Sequence, residues 1–165
     1  MKYGLGMLML LALTTLCWGQ NTSQQAVNPL VAALSEQETG ELNDLAFFAL
    51  SLSGTPYQYG GDSPDTGFDC SGFVRYVFRR SLDIELPRNT KEINRFGTRV
   101  EVSKLRPGDL VFYNTLRSKF SHVGIYLGDN QFVHSPSSGK SVRVEHMQDK
   151  YWRRRYNGAR RITLP

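Results

Sequence analysis

Residues 5–16 (LGMLMLLALTTL) form an unbroken run of mostly apolar positions with no polar face and no amphipathic period. A membrane-crossing helix needs about 20 such residues, and this run is shorter, preceded by Lys2 and followed closely by polar NTSQQ. It reads as an export signal covering residues 1–19, with the small side chains of Cys17 and Gly19 setting the cut before Gln20. Lipid attachment at Cys17 ranks below cleavage, because Leu16 stands where that chemistry needs a small residue. Residues 20–40 are a polar leader with a short helical piece near residues 30–35, and residues 41–165 form a single domain.

Within that domain the period changes once. Leu42, Leu45, Ala46 and Ala49 recur at helical spacing and predict a helix over residues 41–52, ended by Gly54-Thr55-Pro56. After a turn-rich stretch over residues 62–69, Phe73, Val74, Val77 and Phe78 predict a second helix starting near Cys70. A short third helix is expected within residues 87–96. From Arg99 onward the alternation becomes strand-like, over residues 99–102, 109–113, 122–127, 131–134, 142–145 and 158–163. Helices first and strands afterwards predict an α+β domain, with helices packed on one side of an antiparallel sheet.

Composition narrows the classes. The chain has 165 residues, 40% of them hydrophobic and 12% aromatic, which excludes a disordered chain or a large multidomain protein. It has two cysteines, and removal of the signal leaves Cys70 alone, so no intramolecular disulfide forms. The net charge of +5 and the basic run over residues 152–161 raise a nucleic-acid reading. An export signal carries the chain away from nucleic acid, so none is expected as a partner.

A lone thiol in an oxidising compartment needs a reason to exist. Cys70 falls in the first turn of a helix, where unpaired N–H groups and the positive dipole end favour a thiolate, and the small pair Ser71-Gly72 lets something approach closely. Three histidines are available as partners: His122, His134 and His146. In SHVGIYLG the set Val123, Ile125 and Leu127 faces the core, which leaves His122, Gly124 and Tyr126 on the other face with open space beside Gly124. A three-residue loop, Gly128-Asp129-Asn130, would pair Leu127 with Gln131 and set His134 opposite Gly124, within reach of His122. A two-residue loop would turn His134 to the wrong face. The expected arrangement is Cys70 as nucleophile, His122 as base and His134 orienting it, with His146 left at the surface. A Cys/His/His zinc site is the lesser alternative, since the short ligand spacings of strong zinc motifs are missing, and no metal or cofactor is expected.

The blocks GTPYQYGG, FDCSGFV, LPRNT, LRPGDLVFY and SHVGIYLGDNQFVHSP, in this order and spacing, resemble the NlpC/P60 family of cell-wall cysteine peptidases. The resemblance covers roughly residues 42–162 and implies a papain-like fold, with Cys70, His122 and His134 in the catalytic roles. It implies also that Tyr57 helps bind the substrate carbonyl or oxyanion beside the Cys70 N–H. Asp69 and Ser71, flanking the nucleophile, are candidates to line the cleft, and Arg88 is a candidate for structure or for a substrate carboxylate. Tyr59 stands where many relatives carry Trp. The implied substrates are peptide stems of peptidoglycan, in the periplasm or cell envelope, at either γ-D-glutamyl–diamino acid or D-alanyl bonds. The alternative is a catalytically silent wall-binding module, and fast alkylation of Cys70 near neutral pH would argue against it. Oligomeric state is not legible.

Overall fold

The switch from helical to alternating pattern near Arg99 marks the seam between two layers. The structure, a computed structural model, describes residues 29–137 and 140–163. The expected export signal, Cys17 and the first part of the leader lie outside the described residues.

The first helix, α1 (Pro29–Ser51), is much longer than the sequence pattern predicts. The second half of the polar leader is helical, and its cause is local. Gln37 donates to Glu41 one turn on (3.2 Å), and the Thr39 hydroxyl donates back to the Ser35 carbonyl (2.8 Å). Burial begins only at Leu42, so the apolar period marks the docked part of the helix and not its length. A two-stranded ribbon, β1 (Asp62–Ser63) and β2 (Gly67–Phe68), then leads into α2 (Cys70–Leu82) and the short α3 (Thr90–Ile93).

Six strands follow: β3 (Thr98–Val100), β4 (Leu110–Tyr113), β5 (His122–Gly128), β6 (Gln131–His134), β7 (Arg143–His146) and β8 (Tyr156–Arg161). They form one antiparallel sheet in the order β3-β8-β4-β5-β6-β7, so the last strand enters between β3 and β4. Just before it, the short α4 (Lys150–Arg153) occupies part of the basic run.

Leu45, Phe73, Val77 and Phe78 of the helices pack against Leu110, Phe112, Val123, Ile125 and Val133 of the sheet. The opposite face is also buried. Val111, Tyr113, Tyr126, Phe132, Met147, Trp152 and Ala159 form a second cluster there. This corrects the expectation of one covered face: β4 is buried on both sides, and the face carrying the two histidines is apolar rather than open.

The basic run is folded in as well. Arg161 forms a forked ion pair with the fully buried Asp109 (2.8 and 2.7 Å), Arg155 lies 3.8 Å over the Tyr151 ring, and Trp152 is buried. Among the described residues no helix is long and apolar enough to cross a membrane.

Candidate active site

Cys70 is the first residue of α2, as its sequence position suggests. The helix starts there because Asp69, in extended conformation, caps it: the carboxylate accepts from the Gly72 N–H (2.7 Å). What approaches the small Ser71-Gly72 pair is the protein's own loop. A Cβ on Gly72 would run into the Gly61 carbonyl, and Gly61 also accepts from the Asp69 N–H (3.0 Å). The glycines here let the preceding loop lie against the helix start.

Asp69 and Ser71 sit in the cleft wall, but their polar atoms are engaged with one another and with Arg88. Ser71 donates to Asp69 (3.0 Å) and accepts from Arg88 Nη1 (2.6 Å), which also donates to Asp69 Oδ1 (2.9 Å). Arg88 Nη2 and the Gly60 N–H take the other carboxylate oxygen. Burial alone would raise the Asp69 pKa; the Arg88 hydrogen bonds, the Gly72 amide and the Ser71 hydroxyl outweigh it and hold the carboxyl below its usual range. This clamp stiffens the nucleophile's turn, and it is the structural role the sequence left undecided for Arg88.

The thiol is half-buried. Burial, then the Asp69 charge, push its pKa up to about 11, against the backbone amides of Val123, Ser71 and Cys70 itself, which favour the thiolate. The helix-start amides act in the direction that the sequence reading expects, and burial opposes them. Tyr57 is half-buried and lines the same cleft; burial and the neighbouring Cys70 and Asp69 raise its pKa, so its hydroxyl remains a donor.

His122 and His134 meet as predicted, by a different route. The hairpin turn is two residues, Asp129 and Asn130, both with positive φ (47° and 58°), and Gly128 pairs with Gln131. Leu127 is an extra residue in β5, a bulge that restores the register: Tyr126 pairs with Phe132 and Ile125 with Val133. The bulge offsets the shorter turn, and His134 stays on the face of His122. Their rings bond Nε2 to Nδ1 at 2.7 Å, with both side chains buried. Gly124 does not border open space. A Cβ there would lie 2.7 Å from the Phe132 ring and 3.2 Å from the His134 Cβ, so glycine is what lets the second histidine sit so close.

Burial pulls the His122 pKa down to about 4. His134 is lowered as well, by burial first and then by the charges of His122, Arg143 and Lys140. The bond uses Nε2 of His122 and leaves its Nδ1 outside the pair. The two rings bond to each other rather than turning to a shared ion, and among the described residues no group of three His, Cys, Asp or Glu could hold a metal. His146 lies apart, half-buried, accepting from the Gln148 N–H (3.3 Å).

Trp152 was not legible as part of the site. Its ring stacks on His122 (5.8 Å, 26°) and meets His134 edge-on (4.9 Å, 81°). It lies 30 residues after His122, inside a charged run, so only the fold reveals the contact.

A helix-start cysteine whose thiol meets the backbone amide of Val123, and beside that amide a bonded pair of sheet histidines, lie on an α+β scaffold. The chain belongs to the NlpC/P60 family, which matches residues 54–161. It is 48% identical over 109 residues to the murein DD-endopeptidase MepS/murein LD-carboxypeptidase of Escherichia coli K12, covering 66% of this chain and 56% of that protein. It is 43% identical over 115 residues to the murein DD-endopeptidase MepH of the same strain, covering 68% of this chain and 42% of that one. The fold is similar to the crystal structure of an NlpC/P60 family protein from Bacillus cereus ATCC 10987, with a TM-score of 0.69, 33% identity, and coverage of 75% of this chain and 40% of that one. The matched stretch thus spans about half the length of these curated relatives.

Proposed function

We propose that this protein is an exported cysteine endopeptidase that hydrolyses peptidoglycan stem peptides at bonds involving D-amino acids. Cys70 serves as nucleophile, His122 as general base and His134 as its orienting partner. The observation that carries this reading is the 2.7 Å bond between His122 Nε2 and His134 Nδ1, which leaves Nδ1 for the thiol. It stands within a domain nearly half identical to a protein named as a murein endopeptidase.

The chemistry follows from the protonation states. In the tautomer that makes Nδ1 of His122 basic, Nε2–H donates to Nδ1 of His134. The neutral thiol and neutral imidazole form no standing ion pair, so the proton passes from Sγ to Nδ1 as sulfur attacks the carbonyl carbon. The oxyanion forms between the Cys70 N–H, which has no intrahelical partner, and the Tyr57 hydroxyl. Collapse breaks the C–N bond, and the departing amine takes the proton from His122. Water, deprotonated by His122, then attacks the thioester, releasing the carboxyl half and restoring the thiol.

Cys70→Ala and His122→Ala should each abolish muropeptide release from purified peptidoglycan, with far-UV circular dichroism unchanged. Mass spectrometry of the wild-type products identifies the bond. Full release by the Cys70 variant would end the nucleophile assignment.

A further inference from the structure

His134 ends β6, and Ser135 follows it with its side chain on the opposite face. His134 turns to the face of His122, and Ser135 turns, like Val133, to the face covered by the helices. Ser135 is fully buried, and its hydroxyl donates to the Phe68 carbonyl at 2.7 Å. Phe68 ends β2, two residues before Cys70. The same carbonyl accepts from the N–H of Gln58, the neighbour of Tyr57 (3.0 Å), and the Phe68 N–H donates to the Pro56 carbonyl (3.0 Å). Further along, the Tyr57 N–H donates to the Lys140 carbonyl (2.7 Å), and Gly54 and Thr55 bond to Val142. The Phe68 carbonyl is thus a junction of three segments, those that carry Tyr57, Cys70 and His134.

Catalysis needs the nucleophile, in the helix layer, at a fixed spacing from the imidazoles, in the sheet. One polar contact between the layers is the thiol's own, with the Val123 amide. That contact changes as sulfur bonds to carbon, so it does not hold the spacing through the reaction. Apolar packing between the layers is non-directional. The Ser135 bond is directional, buried and untouched by the chemistry, and it reaches the nucleophile's turn from the residue next to His134.

We propose that Ser135 is a positioning residue, whose bond to the Phe68 carbonyl sets the spacing between Cys70 and the histidine pair; the role rests on the endopeptidase reading. Loss of the hydroxyl orphans no buried acceptor, because Gln58 still donates to Phe68, so the fold holds while the nucleophile's turn shifts. The test measures kcat and KM on a purified cross-linked muropeptide. Ser135→Ala should lower kcat about tenfold or more, the effect of a fraction of an ångström of misplacement, with KM and far-UV circular dichroism unchanged. Ser135→Thr, which keeps the hydroxyl, should restore kcat. The comparison of wild type with Ser135→Ala decides the matter even where threonine does not fit the buried site.

An unchanged kcat in Ser135→Ala overturns the proposal, and so does a fall in kcat that a folded Ser135→Thr fails to reverse. A second arm does not depend on turnover. The Val123 amide resonance reports the contact with sulfur, and the imidazole N–H resonance reports the bond between the two rings. Ser135→Ala should move the first and leave the second in place. That result supports the tie even if wild type cuts no muropeptide, the outcome that removes the hydrolase reading instead. A Val123 amide that stays in place, with the muropeptide cut at the wild-type rate, removes the positioning role and leaves the hydrolase.

Discussion

Burial disfavours the charged forms of both Cys70 and His122, and this has consequences that can be measured on single residues. Alkylation of Cys70 by iodoacetamide should be slow at pH 7.5 and climb only as the pH approaches about 11. Slow alkylation is therefore no mark of a silent module, contrary to the discriminator that the sequence alone suggests. Asp69→Asn should speed the reaction at neutral pH by removing a negative charge that opposes the thiolate; an unchanged rate would show that Asp69 does not act on the sulfur. Trp152 bears on the other partner. Trp152→Ala should cost about 3 kcal/mol of stability. It should also hydrate His122 and move the acid limb of the pH–rate profile up from about 4 towards the ordinary histidine range, with Trp152→Phe in between. An acid limb that stays in place in both variants would assign the low pKa to other neighbours.

At the scale of elements, the β5–β6 hairpin shows how much the sequence conveys. The alternation in SHVGIYLG and the two histidines were enough to predict that His122 and His134 share a face. The means were not visible, because a two-residue turn with a bulge at Leu127 and a three-residue turn without one give the same register. Deleting Leu127 distinguishes them. With the two-residue turn, removing the extra residue leaves Tyr126 opposite Phe132 and His134 opposite Gly124, so the ring–ring bond seen by imidazole NMR and the activity should survive. Loss of both would mean that the turn keeps three residues and that His134 has moved to the opposite face. The helices split in the same way. For α2, cap and apolar period agree, so a start near Cys70 was legible; for α1, residues 33–37 are exposed, and no apolar period marks that part of the helix.

For the whole molecule, the part least legible in the sequence is the second apolar cluster. Tyr113, Phe132 and Trp152 come from three distant segments, and no single period marks a sheet buried on both faces. That cluster also sets the stability profile. His122 has a folded pKa of about 4 against an ordinary value of 6.5, so the unfolded chain binds the extra proton between those values. The contribution is complete above about pH 6.5 and is lost as the pH falls through about 4, worth roughly 3 kcal/mol. His134 acts in the same direction. Urea midpoints should fall steeply between pH 6.5 and 4, and His122→Gln should flatten that slope; a flat wild-type curve would contradict the burial of the pair. Finally, β8 lies between β3 and β4, and Trp152 directly precedes it. A nascent chain lacking its last 15 residues has neither a continuous sheet nor a cover for its histidines. The sheet and its second apolar cluster are therefore complete only after synthesis has passed residue 161, and a chain still being made carries the thiol and both imidazoles without the means to align them.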